Sequence, residues 1–324
     1  MNQPNPFIPL IPNTAIDLPE GDRFLAAGHW WSQPEIDALI MAHAARRPLL
    51  VRGEAGSGKS QIARAAAQVL NGGQPLIEVI HPRFEALDLL YRVDAVERLA
   101  DAQMQTLDRS NQKYVKPGRL WEAINQMQNN KSTPVLLIDE IDKADADVPN
   151  ALLDVLGNRS FDVPPLNNQT VRAENGRLPL IIITTNEERE LPAAFIRRCV
   201  VLNLNPPKGD DQAFIDWLKQ RGEVHQHLKI TPEARVQAAK QVLADRQAAE
   251  QAGYPKVGLA EYIDLLTALH ELTQTIAGDQ QRISAQQDWL QRLSAYALVK
   301  NADQAQDRKP VESLIANPKQ QFDS

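Results

Sequence analysis

One stretch decides the fold: Gly53-Glu54-Ala55-Gly56-Ser57-Gly58-Lys59-Ser60. It fits the pattern G-x-x-x-x-G-K-[ST] in full, with an apolar run before it and an alanine-rich helical pattern after it. Glycines let the backbone curl so that successive amides point at one anion, and the helix N-terminus adds partial positive charge. We predict that all eight residues bind a nucleotide, with the Lys59 ammonium at the β- and γ-phosphates and the Ser60 hydroxyl at Mg²⁺.

Two acidic residues follow a second apolar run. Residues 135–138 read Val-Leu-Leu-Ile, and Asp139 and Glu140 come directly after them. Buried parallel strands carry their carboxyl ends to the ligand crevice. We therefore predict that Asp139 joins Ser60 in a Mg²⁺ site and that Glu140 is the base for the water that attacks the γ-phosphate. The alternative, two acids that cap a turn, fits poorly with a complete phosphate loop upstream.

Two further motifs complete the set of candidate site residues. Residues 181–186 read Ile-Ile-Ile-Thr-Thr-Asn, and Asn186 is predicted to lie between the attacking water and the γ-phosphate. A short helical segment then delivers Arg197 and Arg198 just before the last apolar run. An arginine from a neighbouring subunit stabilises γ-phosphate charge in the transition state. We assign this role to Arg198, with Arg197 as the alternative; a turn-forming asparagine and a solvated arginine pair are the competing interpretations.

The domain organisation follows from the alternation of apolar runs and helical patterns. Short runs alternate with helices up to about residue 205, which predicts βαβ units and a parallel sheet. Composition changes at Asn205-Pro206-Pro207, and only helical patterns follow. The predicted parts are a proline-rich arm at 1–31, an αβα nucleotide-binding core at 32–205 with an inserted hairpin near 160–178, a helical lid at 206–300 and a flexible tail at 301–324.

Composition excludes several classes of protein. The chain has 324 residues, a net charge of −6 and one cysteine, Cys199, so a disulfide framework and a cysteine-based zinc finger are excluded. No basic segment precedes an apolar stretch at the start, and no apolar run approaches the ~18–20 residues that span a bilayer. The sequence therefore predicts a cytoplasmic protein without a membrane partner.

In this order, the motifs GEAGSGKS, VLLIDE, ITTN and FIRRC resemble those of AAA+ ATPases, most closely the MoxR-like branch. The similarity spans about residues 33–275 and includes Val51-Arg52-Gly53 and Ile141-Asp142-Lys143-Ala144. It implies a P-loop NTPase fold of class α/β, a three-layer αβα parallel sheet with a C-terminal all-helical lid. It also implies ATP and Mg²⁺ as cofactors, a ring that is usually a hexamer, and a partner protein with a von Willebrand A domain.

The lid departs from the family pattern. The family often carries a lid arginine near a Gly-x-Ser-Pro-Arg motif, whereas residues 256–262 read Lys-Val-Gly-Leu-Ala-Glu-Tyr, and no arginine occurs between Arg246 and Arg282. The leading hypothesis is an ATPase that remodels or matures a protein partner, and the missing arginine leaves room for a nucleotide-gated switch or binding module with slow turnover. A DNA-directed motor is a third hypothesis, which the acidic net charge disfavours. The sequence does not decide whether nucleic acid is a partner. A GTPase is disfavoured, since no N-K-x-D motif is present.

We predict that Lys59→Ala loses most of its ATP affinity, because this ammonium is the mobile cation of the phosphate loop. Isothermal titration calorimetry measures the affinity directly. An unchanged dissociation constant for ATP in the variant contradicts the assignment of this loop.

Overall fold

The protein is described here by a computed structural model that covers residues 4–21, 24–130 and 133–298. The predicted tail at 301–324 lies outside these residues. The strands are β1 (Thr14–Leu18), β2 (Ala27–Trp31), β3 (Leu49–Arg52), β4 (Leu76–Val79), β5 (Tyr91–Val93), β6 (Val115–Pro117), β7 (Val135–Asp139), β8 (Ser160–Val163), β9 (Gln169–Arg172), β10 (Leu180–Thr185) and β11 (Val200–Asn203). The helices are α1 (Gln33–Ala45), α2 (Lys59–Asn71), α3 (Ala95–Gln103), α4 (Arg119–Asn130), α5 (Asp147–Asn158), α6 (Ala193–Ile196), α7 (Asp211–Glu223), α8 (Pro232–Gln251), α9 (Leu259–Thr273) and α10 (Asp279–Leu298). Short 3₁₀ helices lie at Ala86–Leu89, Ile141–Lys143, Pro164–Leu166 and Glu174–Gly176.

The central sheet has five strands in the order β11-β3-β10-β7-β4, and each neighbouring pair is parallel. The middle strand, β10, is buried along its whole length, which suits its run of isoleucines because both faces of a parallel sheet are covered. Helices α1, α2 and α4 pack against the sheet. The predicted α/β architecture with a parallel sheet is confirmed.

Two antiparallel pairs interrupt the alternation. β8 pairs with β9 within the segment predicted to hold a hairpin, and the connection runs through residues 164–168. β5 pairs with β6, and α3 lies between them in the chain.

The apolar side of α3 is exposed. The spacing of residues 94–105 predicts an amphipathic helix with Val96, Leu99 and Ala100 on one side. The helix is present, but none of its residues is buried, and Val96 is 80% and Leu99 62% exposed. Periodicity identifies a helix with an apolar side, but it carries no information on whether another element covers that side.

The proline-rich N-terminal segment packs on α1. Phe7 is fully buried and meets the His43 ring edge-on, with 5.8 Å between the centroids. The Asn5 side-chain amide donates to the Ile40 carbonyl at 2.9 Å. Ile8, in contrast, is 62% exposed. One aromatic side chain thus anchors a segment whose prolines disfavour regular structure.

The chain divides into two compact units. The first carries the parallel sheet and ends at Leu204; the second contains the helices from α7 onward, with the short stretches Ala26–Trp30 and Gly56–Gly58. The first unit has its own core around the central strands. Among the described residues, no helix has both the length and the apolarity needed to cross a membrane.

Helices α7 and α8 of the second unit begin at the capping residues Asp210 and Thr231, and the helices of this unit share one core. The Asp210 side chain accepts from the Ala213 amide, and Pro232 occupies the first turn of α8, where its missing amide costs little. The buried Gln286 side chain accepts from the Thr231 amide at 2.9 Å and donates to the Thr273 hydroxyl at 3.0 Å. Gln286 therefore ties α10 to the start of α8 and the end of α9.

We predict that Phe7→Ala lowers the free energy of unfolding by about 3 kcal/mol, because it removes a fully buried aromatic side chain. Urea denaturation followed by fluorescence measures the change. Ile8→Ala is the matched control, since its exposed side chain contributes little. Equal stabilities of the two variants contradict the packing of the N-terminal segment on α1.

Candidate nucleotide site

The phosphate loop joins the end of β3 to the start of α2. Gly56 and Gly58 have φ values of 72° and 93°, in the region that favours glycine. The Lys59 ammonium donates to the carbonyls of Gly53 at 2.8 Å and Glu54 at 2.7 Å. Burial lowers the pKa of Lys59, and carboxylates led by Asp139 oppose this shift. The Lys59 ammonium therefore folds back onto the backbone of the phosphate loop.

The oxygens of Ser60 and Asp139 meet beside the loop. The Ser60 hydroxyl donates to the Asp139 carboxylate at 2.9 Å. The Thr184 hydroxyl donates to the same carboxylate at 2.5 Å and accepts from the Glu140 amide at 2.9 Å. Thr184 on β10 therefore fixes both members of the acidic pair at the end of β7.

Glu140 occupies a strained backbone conformation. Its φ is 60°, in the left-handed region that costs a non-glycine residue free energy and that often marks functional sites. Its carboxylate accepts from the Lys143 ammonium at 2.6 Å and from the Asn186 amide at 3.2 Å. The contact with Glu140 raises the pKa of Lys143, so the pair is a cation beside a carboxylate.

Asn186 joins the loop to the acidic pair. Its side-chain oxygen accepts from the Lys59 ammonium at 2.7 Å, while its NH₂ group donates to Glu140. The backbone amide of Asn186 donates to the Asp142 carboxylate at 3.2 Å, and the Glu188 amide donates to it at 2.9 Å. Asp142 is 1% exposed, so a buried carboxylate holds the turn that presents Asn186.

The structure therefore brings together Lys59, Ser60, Asp139, Glu140 and Asn186. Arg197 and Arg198 lie elsewhere, in the turn between α6 and β11, and both are exposed. Within residues 4–21, 24–130 and 133–298, no recorded contact joins either guanidinium to the five residues of the cluster.

Sequence reasoning missed the residues that support this cluster. In the sequence, Thr184 is only part of a polar strand end, and Asp142 and Lys143 stand only within a motif shared with the family. The signal for Thr184 was its position one residue before the last of β10, beside the tip of β7, because parallel neighbours end at the same edge. Asp142 had no such signal, since its partners are backbone amides.

The residues present fit ATP and Mg²⁺. Ser60 and Asp139 offer the hard oxygen ligands that Mg²⁺ prefers, and this ion is usually held by one or two protein oxygens together with substrate phosphates. The Ser57 hydroxyl is buried, and no hydrogen-bond partner is recorded for it among the described residues. The positive φ of Gly56 and Gly58 turns the backbone into a concave loop, which suits a phosphate group.

A parallel sheet with a phosphate loop, an acidic pair and a polar residue on neighbouring strand tips defines an AAA+ P-loop NTPase fold. Residues 48–199 match the family described as AAA domain (dynein-related subfamily), a domain of ATP-hydrolysing enzymes.

Individual relatives point to the same class. The chain is 31% identical over 140 residues to the chaperone protein ClpB 1 of Nostoc sp. strain PCC 7120, covering 42% of this chain and 13% of that protein. It is 27% identical over 214 residues to the chaperone protein ClpB 2 of Thermosynechococcus vestitus, covering 64% and 21%. The chain thus spans about a fifth or less of the length of these curated relatives.

Among solved structures, NtrX from Brucella abortus is similar at 17% identity and a TM-score of 0.42, over 75% of this chain and 51% of that chain. The family match and the geometry of the cluster, rather than this distant similarity, define the class.

We predict that Glu140→Gln keeps ATP binding but lowers turnover by roughly 10²–10⁴-fold, because the amide is nearly isosteric but is no longer a base. Calorimetry and phosphate release measure the two properties separately. Glu190→Gln makes the same change at an exposed glutamate outside the cluster; it is the matched control and should turn over normally. Normal turnover in Glu140→Gln means that the acidic pair is only a cap.

Proposed function

We propose that this protein is a Mg²⁺-dependent ATPase that forms a ring, in which each nucleotide site needs an arginine from the neighbouring subunit. Residues 32–205 form its nucleotide-binding core and residues 206–300 its helical lid. The observation that carries the proposal is the Asn186 side chain, which contacts both the phosphate-loop lysine and Glu140. An amide that both donates and accepts is suited to a water held between a carboxylate and a phosphate.

Each residue of the cluster has a role in this reaction. The backbone and side chains of residues 53–60 would bind the triphosphate, and Ser60 and Asp139 would hold Mg²⁺, whose charge would offset that of the phosphates. Glu140 takes a proton from the attacking water, and Asn186 orients that water. The Lys143 ammonium donates to Glu140 and so helps to fix the position of its carboxylate.

The direction of the strands supports a role for Arg198 at a neighbour's nucleotide. β11 and β3 are parallel, with Val200 level with Leu49. Arg198 therefore precedes the start of β11, whereas the phosphate loop follows the end of β3. The four-residue strand alone separates these two edges by roughly 13 Å. An arginine on the opposite edge of the sheet from its own phosphate loop is suited to act in trans, and Arg197 is the alternative.

The MoxR-like assignment rests on motif order and on the inserted pairs. The sequences around residues 51–60, 139–144 and 197–199 resemble that branch, and the β8–β9 hairpin lies where the resemblance predicts one. On this basis we propose a hexameric ring that remodels or matures a protein substrate. We also propose that it works with a partner protein that contains a von Willebrand A domain. The printed names of the ClpB relatives describe chaperones, which is compatible with work on protein substrates. The single cysteine fits a reducing, cytoplasmic location.

A nucleotide-gated switch with slow turnover is the second candidate. It is favoured by the lid, where Lys256 pairs with Glu250 at 2.5 Å. Arg246 donates to the Val257 carbonyl at 2.9 Å and lies over the Phe214 ring. Lys256 and Arg246 are the cations nearest to the position where the family often carries a lid arginine. Both make contacts within the lid, which would weaken the coupling between hydrolysis and lid movement.

A DNA-directed motor receives less support. Two cations in the segment between β4 and α4 are paired with acids: Arg92 with Asp88 at 3.0 Å and Lys113 with Asp101 at 2.6 Å. Their charge is thus partly neutralised, which weakens any basic strip for a phosphate backbone in this segment.

We predict that Arg198→Ala binds ATP normally but hydrolyses it roughly 10³–10⁵-fold more slowly, as expected for loss of an arginine finger. Mixing it with Lys59→Ala should restore activity, because some mixed interfaces pair an intact loop with an intact arginine. Phosphate release by the mixture, compared with each variant alone, is the measurement. A monomeric protein with full activity, or two inactive variants that never complement, contradicts action in trans.

A further inference from the structure

One guanidinium binds the turn that carries the two exposed arginines. The Nε of Arg47 donates to the Arg198 carbonyl at 3.0 Å. Its Nη2 donates to the Arg197 carbonyl and, at 3.3 Å, to the Cys199 carbonyl. Three successive carbonyls therefore accept from a single planar side chain, whose fork geometry is rigid.

Backbone hydrogen bonds hold the amide side of this turn: the amides of Arg198 and Cys199 donate to the carbonyls of Phe195 and Ile196 at 2.9 and 3.0 Å. The carbonyl side is different. α6 has only four residues, so the carbonyls after its end lack the partners that a longer helix supplies. The chain then enters β11, whose first amide, that of Val200, donates to the Pro48 carbonyl at 2.8 Å. Arg47 and Pro48 thus hold the turn from the start of the adjacent strand, β3.

The guanidinium of Arg47 contacts only main-chain atoms of this turn, so the arginine side chains that the turn carries stay exposed. An exposed, long side chain reaches a defined point only if its backbone is fixed. A displacement of about 1 Å at a reacting centre can cost roughly 10²-fold in rate.

We propose that Arg47 is a positioning residue for the arginine finger: it fixes the 197–199 turn so that Arg198 reaches the neighbouring protomer's nucleotide. This inference rests on the proposed function, because it assumes that Arg198 acts in trans. Arg47 itself touches neither the phosphate loop nor the Glu140–Asn186 pair of its own protomer in the contacts recorded for the described residues.

The first test uses the full chain with Arg47→Met, which keeps the length of the side chain and removes its donors. We expect kcat to fall by about 10²-fold with the KM for ATP unchanged. Arg47→Lys keeps the charge but offers a single ammonium, so it should recover only part of the rate. Arg46→Asn is the matched control: it removes the neighbouring guanidinium at a position with φ of 55°, which asparagine tolerates, and it should leave kcat unchanged.

The double variant Arg47→Met/Arg198→Ala separates positioning from general support of the fold. If Arg47 acts through Arg198, the double variant should turn over no more slowly than Arg198→Ala alone. A further loss in the double variant, or a fall in melting temperature that accounts for the lost rate in both Arg47 variants, overturns the proposal.

Mixtures of variants give a second readout. Arg47→Met protomers keep an intact phosphate loop, so they should complement Lys59→Ala, as Arg198→Ala does. They should not complement Arg198→Ala, because both lack a working finger. If Arg198→Ala complements Lys59→Ala and Arg47→Met does not, the positioning role is wrong while the proposed function stands.

The mixtures also detect failure of the finger assignment itself. If Arg198→Ala keeps full activity, Arg197→Ala enters the same mixtures, since Arg47 binds its carbonyl too. A positive result there transfers the role of Arg47 to that finger. If neither arginine variant loses activity, there is no finger to position, and both the trans mechanism and the proposal for Arg47 are rejected.

Discussion

All five strands of the central sheet run in one direction, and the candidate site depends on this constraint. Three neighbouring strands, β3, β10 and β7, end at the same edge. The phosphate loop, Asn186 and the acidic pair follow those three ends, so residues more than 120 positions apart come within hydrogen-bond distance. An antiparallel β10 would carry its asparagine to the opposite edge. The common direction of the strands, and not any local sequence feature, therefore brings these residues together.

The same polarity explains which parts of the site were predictable from the sequence. Strand-end residues such as Asp139 and Asn186 could be assigned because apolar runs mark each strand and its last residue. Thr184 lies inside the strand, where its hydroxyl matters only because β7 is the neighbour. Asp142 and Arg47 bind main-chain atoms, and no side-chain pattern announces such partners. Sequence patterns thus identify groups that face a ligand more readily than groups that hold the backbone.

The fold shows a similar division. Short apolar runs predicted the central strands, and the capping residues Asp210 and Thr231 stand directly before helical patterns, because both features depend on neighbours in the chain. The burial of Phe7 and the exposure of Val96 were not predictable in the same way. Each depends on whether a distant element covers an apolar side chain. Local physics fixes the type of an element, and tertiary packing decides what its apolar side contacts.

Charged side chains are arranged differently at the two edges of the sheet, the one where its strands end and the one where they begin. At the edge where the strands end, Asn186 links the Lys59 ammonium to the Glu140 carboxylate. The groups proposed to bind phosphate and to accept a proton from water are therefore in contact through one side chain. At the edge where β3 and β11 begin, one guanidinium fixes a turn through carbonyls and leaves two other cations exposed. The first arrangement suits a site that binds and reacts, and the second suits a surface that delivers charge elsewhere. In the proposed ring, a protomer built in this way would carry part of a reaction centre at each edge of its sheet, and the direction of its strands would couple hydrolysis to assembly.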